Sequence, residues 1–253
     1  MRVSIITTSF NSSKTILNTI QSVNQQCYKE IEHVFIDGGS TDNTLEIIKA
    51  NSTRTNVIIS EKDKGIYNAM NKGLKFANGD VIGFLNSDDR FIDNTIVKRI
   101  VNEFKPGIDC IYGNLIFVNS SNDIVRKWKS RSFKSGLFKY SWTPAHPTFY
   151  CKKSIYNEFG NYREDLNIGA DVDLMFRFLE IHQLKSSFID QTLVEMRIGG
   201  TSTKSFISTI IITKEVLGSF KQHGYNYSTF IYIVSKIYKA YKQLKSFQYF
   251  NSK

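Results

Sequence analysis

Four apolar runs of strand length, at residues 3–8, 31–36, 57–60 and 81–85, are separated by segments whose apolar residues recur at helical intervals. Few folds satisfy that rhythm. Strands that alternate with helices pack as a parallel α/β sheet with helices on both faces, and such sheets bind ligands at the carboxyl edge of their strands. The helices between them are read from Ile16, Leu17, Ile20 and Val23, from Leu45, Ile47 and Ile48, and from Ile66, Met70, Leu74 and Ala77, the third spanning 64–77. The fourth run ends most abruptly: residues 81–85 carry no charge, and Asn86, Ser87, Asp88 and Asp89 follow at once. Two adjacent carboxylates with an amide two positions earlier can hold a hard divalent cation, which takes its other ligands from phosphates and water. A polar turn with Asp89 opening the next helix is the plainer alternative.

Two further strand ends, Thr8-Ser9-Phe10-Asn11 and Asp37-Gly38-Gly39-Ser40, fall on the same rim as Asn86-Ser87-Asp88-Asp89. Neither a Walker loop nor Gly-x-Gly-x-x-Gly follows the first strand, so a cation must carry much of any phosphate binding there. Composition points the same way. The 253-residue chain has a formal net charge of +10, which suits an anionic partner such as a nucleotide, nucleic acid or an acidic membrane surface. Three cysteines, Cys27, Cys110 and Cys151, sit in no metal-like spacing and fit a reduced, cytoplasmic setting. No apolar run reaches the roughly 20 residues that span a bilayer, so any membrane contact is expected from the side, at its inner face.

The ordered series Thr8-Ser9-Phe10-Asn11, Asp37-Gly38-Gly39-Ser40-Thr41-Asp42-Asn43-Thr44, Asp63-Lys64-Gly65-Ile66-Tyr67-Asn68-Ala69-Met70-Asn71-Lys72-Gly73 and Asn86-Ser87-Asp88-Asp89 resembles glycosyltransferase family 2, of bacterial surface-polysaccharide type. The resemblance implies a GT-A fold: a Rossmann-like nucleotide-sugar-binding sheet, with a C-terminal helical extension added here. It implies a catalytic domain at 1–203, with a donor half at 1–105 and an acceptor half at 106–203, and an extension at 204–253. Thr8, Phe10 and Asn11 then belong to the donor-binding set, Asp37 and Asp63 to the base and ribose contacts, and Asn86 and Ser87 to the sugar-nucleotide site. Asp88 stands at the family's Asp-x-Asp position as the direct ligand of Mn²⁺ or Mg²⁺, supported by Asn86 and Asp89, with His146 a further candidate. Two departures matter: relatives often carry paired acids where this chain has Asp37-Gly38, and the first metal-motif acid is Asn86.

In the second half, 109–118 and 124–128 read as a hairpin around the turn 119–123. The stretch from Lys127 to Tyr140 interleaves lysine and arginine with aromatics and is expected to be a solvated loop or a basic lip over an anionic ligand. His146 lies between Pro144 and Pro147, a setting that restricts the backbone around it. An acidic pair, Asp171 and Asp173, precedes an apolar helix. By resemblance Asp171 is the catalytic base that takes a proton from an acceptor hydroxyl, while Asp173 is expected to pair with Arg177 four residues on. Arg197, opening Arg197-Ile198-Gly199-Gly200-Thr201-Ser202, resembles a phosphate contact on a segment that closes over the donor. From Ser228 onward the chain reads as an amphipathic helix, with Phe230, Val234, Ile237, Tyr241 and Leu244 on one stripe and lysines around the rest. That stripe suits an acidic membrane or packing onto the body.

Together these readings imply a metal-dependent, inverting transferase that moves a sugar from a nucleotide-diphosphate sugar to a glycan or lipid-linked glycan in surface polysaccharide biosynthesis. A non-catalytic nucleotide-sugar or nucleic-acid binding module is the rival from another class, although nucleic acid is not the expected partner. A nucleotidyltransferase is a second rival; it would need a basic glycine-rich loop after the first strand, and none is present.

Overall fold

The computed structural model describes residues 1–198 and 206–251. In chain order the elements are β1 (Val3–Ser9), α1 (Ile16–Asn24), β2 (Ile31–Asp37), α2 (Thr44–Asn51), β3 (Thr55–Ser60), α3 (Ile66–Phe76), β4 (Val81–Phe84), β5 (Arg90–Phe91), α4 (Ile96–Glu103), β6 (Cys110–Val118), β7 (Ile124–Trp128), β8 (Tyr150–Lys152), α5 (Lys153–Phe159), α6 (Ala170–Phe176), β9 (Ser186–Arg197), α7 (Phe206–Gln222) and α8 (Thr229–Asn251).

One sheet runs through the molecule in the order β3-β2-β1-β4-β8-β6-β9-β5, with β7 hydrogen-bonded to β6. Its first four strands are parallel, as the alternation requires. Beyond β4 the sheet becomes mixed, as β8 joins antiparallel to both β4 and β6. The two expected halves therefore share one continuous sheet. Alternation along the strands sorts the core into two layers. Ile6, Ile36, Ile82 and Phe84 pack with α3, α6 and α7, while Val3, Ile5, Val81 and Leu85 pack with α1 and α4 on the other face. Gly83 is required where β4 meets β8, because a Cβ there would lie 2.0 Å from the ring of Tyr150.

Other sequence expectations shift in physically readable ways. The third helix begins at Ile66 instead of 64, and Ile66 is 46% exposed; Tyr67 takes the inward position. The basic stretch before residue 142 is not a solvated loop. Phe138 is buried, and Phe133, Phe138 and Trp142 stack within 5.6–6.1 Å of one another. Burying one such ring contributes about 1.5–3 kcal/mol, enough to hold the segment down while its cations stay outside. The twelve-residue strand β9 was not evident in the sequence: its central residues Asp190 and Gln191 are exposed and interrupt the apolar pattern.

Behind α6 the expected Asp173–Arg177 pair is present, with Arg177 Nε donating to Asp173 Oδ2 at 2.8 Å. The other guanidinium nitrogens donate to the carbonyls of Phe159 and Asn161, and Ser219 of α7 donates to Asp173 Oδ1. Every strong hydrogen-bonding atom of this buried pair is therefore engaged, which is the condition for keeping it dry. The helix continues past Phe176 as a π-helical turn, Arg177–Ile181.

Candidate active site

The loops after β1, β2 and β4 are tied to one another by their own side chains. Asn11, at a φ of 49°, accepts from the Thr41 amide at 2.9 Å through Oδ1, and its amide donates to Ser40 Oγ at 2.8 Å. Ser12 Oγ meets Ser87 Oγ at 2.8 Å, linking the first loop to the one that carries Asp88. Thr19 of α1 donates to the carbonyl of Asp89 at 2.7 Å, and Thr7 of β1 to that of Leu85 at 2.7 Å. The rim is thus fixed before any ligand arrives.

Within it the expected donor residues divide into builders and faces. Asp37 is fully buried and accepts from Ser9 Oγ, the Gly39 and Ser40 amides, Ser40 Oγ and Ser60 Oγ, all at 2.5–3.1 Å. Its carboxylate shapes the loop and is turned away from solvent. Thr8 is also largely buried. Phe10, in contrast, is 63% exposed. A Cβ on Gly38 would sit 2.6 Å from Asp63 Oδ2 and 3.5 Å from the Phe10 ring, so the missing side chain is what lets the Asp63 carboxylate approach the loop beside Phe10. Asp63 also accepts from the Gly65 amide at 2.9 Å, the turn that opens α3.

At the end of β4, Asn86, Ser87 and Asp88 are half-buried at the rim. Asp89, expected to support Asp88 at a cation, lies beneath the loop with no exposed surface. Asn86 Nδ2 donates to its Oδ2 at 3.3 Å, while Oδ1 has no hydrogen-bond partner. Burial and then the charge of Asp88 push the Asp89 carboxyl well above the usual range. Among the described residues no three of His, Cys, Asp and Glu come together as a cation cage. The donor set present, one rim carboxylate beside an amide, fits the binding mode in which Mg²⁺ or Mn²⁺ takes most of its ligands from diphosphate and water.

A column of rings leads from this loop to Asp171. Phe84 stacks on His146 at 5.7 Å, and His146 Nε2 hydrogen-bonds Tyr162 Oη at 2.8 Å. Tyr162 in turn stacks on Tyr67 at 5.9 Å. Burial lowers His146 to about 4, so the imidazole is neutral at physiological pH. Burial first, and then the nearby charge of Asp171, raise the hydroxyls of both Tyr67 and Tyr162. Asp171 itself is half-buried at the start of α6, with Oδ1 accepting from the Val172 amide at 2.8 Å. Burial pushes its carboxyl up to about 6; the Val172 amide opposes that rise and the charge of Glu215 adds to it. A carboxylate so poised can take a proton near neutral pH.

Sequence reading missed the parts that hold Asp171 in place. Glu215 of α7 accepts from the amides of Asn167, Ile168 and Gly169 at 2.8–3.1 Å, fixing the loop that enters α6. From the opposite side, Tyr67 donates to the Ile168 carbonyl, and Asn68 and Asn71 donate to the Glu164 carboxylate at 2.9 and 2.8 Å. The signal available was two asparagines three apart on α3 flanking apolar positions, which local pattern cannot pair with a loop some ninety residues away. The Arg197 guanidinium points to Asn122 Oδ1 at 3.2 Å in the β6–β7 turn. The rest of the expected closing segment, 199–202, lies outside the described residues.

Residues 4–164 match the profile described as Glycosyl transferase family 2. Among curated relatives, the UDP-Glc:alpha-D-GlcNAc-diphosphoundecaprenol beta-1,3-glucosyltransferase WfgD of Escherichia coli is 38% identical over 127 residues, half of each chain. Among solved structures, TarS 1-349 of S. aureus in complex with UDP aligns with a TM-score of 0.62 at 19% identity, over 87% of this chain and 65% of that one. The mannosyltransferase PcManGT of Pyrobaculum calidifontis, in complex with GDP-Man and Mn²⁺, gives 0.66 at 13% identity, over 94% and 69%. The chain thus spans half of the first of these proteins and about two thirds of the solved chains.

Proposed function

Given that this chain belongs to glycosyltransferase family 2 and has the GT-A fold, we propose that the rim at Phe10, Gly38, Asp63 and Asn86-Ser87-Asp88 binds a nucleoside-diphosphate sugar. Asp171 then deprotonates the acceptor hydroxyl. The observation that carries the proposal is the convergence of an exposed aromatic beside the Asp63 carboxylate, a half-buried rim carboxylate at Asp88 and a carboxyl raised to about 6 at Asp171. Uridine is the first base to try, since one relative is named for UDP-Glc and one neighbour is solved with UDP.

In this reading the base lies against the exposed ring of Phe10, and Asp63 accepts hydrogen bonds at its edge. Asp37 and Asn11 keep the loops in place. Asp88, with Asn86 beside it, would hold Mg²⁺ or Mn²⁺, and the bound cation would neutralise charge on the departing diphosphate. The acceptor oxygen attacks the anomeric carbon from the face opposite the leaving group as Asp171 takes its proton, so the configuration inverts. Tyr67 and Tyr162 keep their protons and, with neutral His146, form the wall between base and donor. The acceptor class that fits best is a lipid-linked glycan, after the diphosphoundecaprenol named for the relative.

The test is release of nucleoside diphosphate from uridine, guanosine and thymidine diphosphate sugars, with Mg²⁺, Mn²⁺ or chelator, for the native chain and Asp88→Ala. Cation-dependent release from one donor, reduced on the order of 10²-fold or more in the variant, supports the assignment. Equal release by both proteins, or release indifferent to chelator, contradicts the role of Asp88.

A further inference from the structure

The amphipathic helix α8 is turned the opposite way from the usual arrangement for a helix on a protein body. Its inward contacts are polar and aromatic. Tyr232 is buried against Phe220 at 5.8 Å, and Lys236 Nζ donates to Thr213 Oγ1 at 2.6 Å and to the Thr209 carbonyl at 3.2 Å. Lys239 Nζ lies 4.4 Å from the Trp128 ring centroid and donates to the Ser141 carbonyl. Burial and the nearby cations Arg126 and Lys236 lower it to about 8. With these positions committed inward, Phe230 (76% exposed), Val234, Ile237 (65%) and Tyr241 face out. The Lys236 bonds place α7 alongside, and α7 adds Ile207 (66%) and Ile210. Four large apolar side chains along one outward stripe of α8, with two more exposed on α7, exceed the scatter of single exposed side chains normal on a soluble surface.

The surrounding charge identifies the occupant. No acidic residue follows Glu215, while Lys214, Lys221 and Lys242 are exposed on the same two helices. Two copies meeting through this face would bring their lysines together on chains that each carry +10. An anionic lipid surface offers the complementary charge, lets the apolar side chains sink to the acyl boundary, and takes tyrosine at headgroup depth. Among the described residues no helix is long and apolar enough to cross a membrane. We propose that the outward face of α7 and α8 docks in the plane of an anionic bilayer interface, with Phe230 and Ile237 as its apolar anchors. The surface stands on exposure and charge and does not depend on the transfer reaction. It nevertheless shares α7 with Glu215, the residue that fixes the loop entering α6.

The test is co-sedimentation of the full chain with vesicles of phosphatidylcholine alone and of phosphatidylcholine mixed with phosphatidylglycerol, beside the double variant Phe230→Ser/Ile237→Ser. Both residues are exposed, so thermal unfolding should be unchanged. The expected result is binding to the anionic vesicles that falls at least about tenfold in the double variant, as loss of two buried apolar anchors requires. A second variant, Lys214→Glu/Lys242→Glu, should weaken binding to anionic vesicles with the apolar face intact. Absence of binding by the native chain overturns the proposal, as does binding undiminished in the serine variant. So does a dimer on size exclusion that the serine variant abolishes while the native chain ignores vesicles.

Discussion

The donor rim and the surroundings of Asp171 reach the same edge of the sheet by different means. At the rim, adjacent loops hold one another: Asn11 with Ser40 and Thr41, Ser12 with Ser87, Asp37 with Ser9 and Ser60. Around Asp171 nothing local suffices. Its loop is fixed by α3 on one side and by α7 on the other, and its helix is anchored through a buried ion pair to Arg177 and a serine of α7. The proposed donor site is therefore a property of strand order, whereas the proposed base is a property of tertiary packing. A substitution distant from the chemistry should disturb the second region and spare the first.

The strongest challenge to that contrast is Asp173→Ala. It leaves the Arg177 guanidinium buried without its carboxylate and should cost about 3–5 kcal/mol in urea unfolding, with donor affinity retained in the folded fraction. A loss below about 1 kcal/mol, the range of an exposed pair, would show that packing behind α6 does not matter as argued. On the rim, Phe10→Ala should leave stability unchanged, since the ring is mostly exposed, and weaken donor binding by about 1–3 kcal/mol, the usual worth of a base-stacking aromatic. Calorimetric titration reads this directly, and unchanged affinity would remove Phe10 from the site.

The pH profile sharpens the comparison further. With Asp171 as the proposed base, transfer needs its carboxylate, and that group holds its proton below about 6. Transfer should fall as pH drops through that value and level off above it, while donor binding measured over the same range does not follow the same curve. The smallest effect is expected from Glu215→Gln. Its charge raises Asp171, so removing it should move the acidic limb to lower pH. A limb that stays in place would mean that Glu215 acts only through the loop.

What the sequence made legible follows the same division. Strands β1 to β4 and the convergence of their ends were readable because short apolar runs, buried on both faces of the sheet, and the polar loops after them are local signals. The roles of Asp37 and Asp89 were less so: both are acids at strand ends, and only tertiary packing makes one a loop builder and puts the other beneath the rim. The pair Asp173–Arg177 was readable, being one helical turn apart. Glu215, Tyr67 and Asn71 were not, since each acts on a loop far away in the chain. The direction of α8 was also hidden, because a helical stripe shows which residues share a face and not which face meets the body.

The most direct test of the account is a pair of measurements on Asp171→Asn: donor affinity by calorimetry, and nucleoside diphosphate released in the presence of an acceptor. Donor affinity should stay within about twofold of native while acceptor-dependent release falls about 10²–10⁴-fold, the signature of a lost general base. Native release by the variant, or loss of donor binding together with release, would contradict the division of labour between the rim and Asp171.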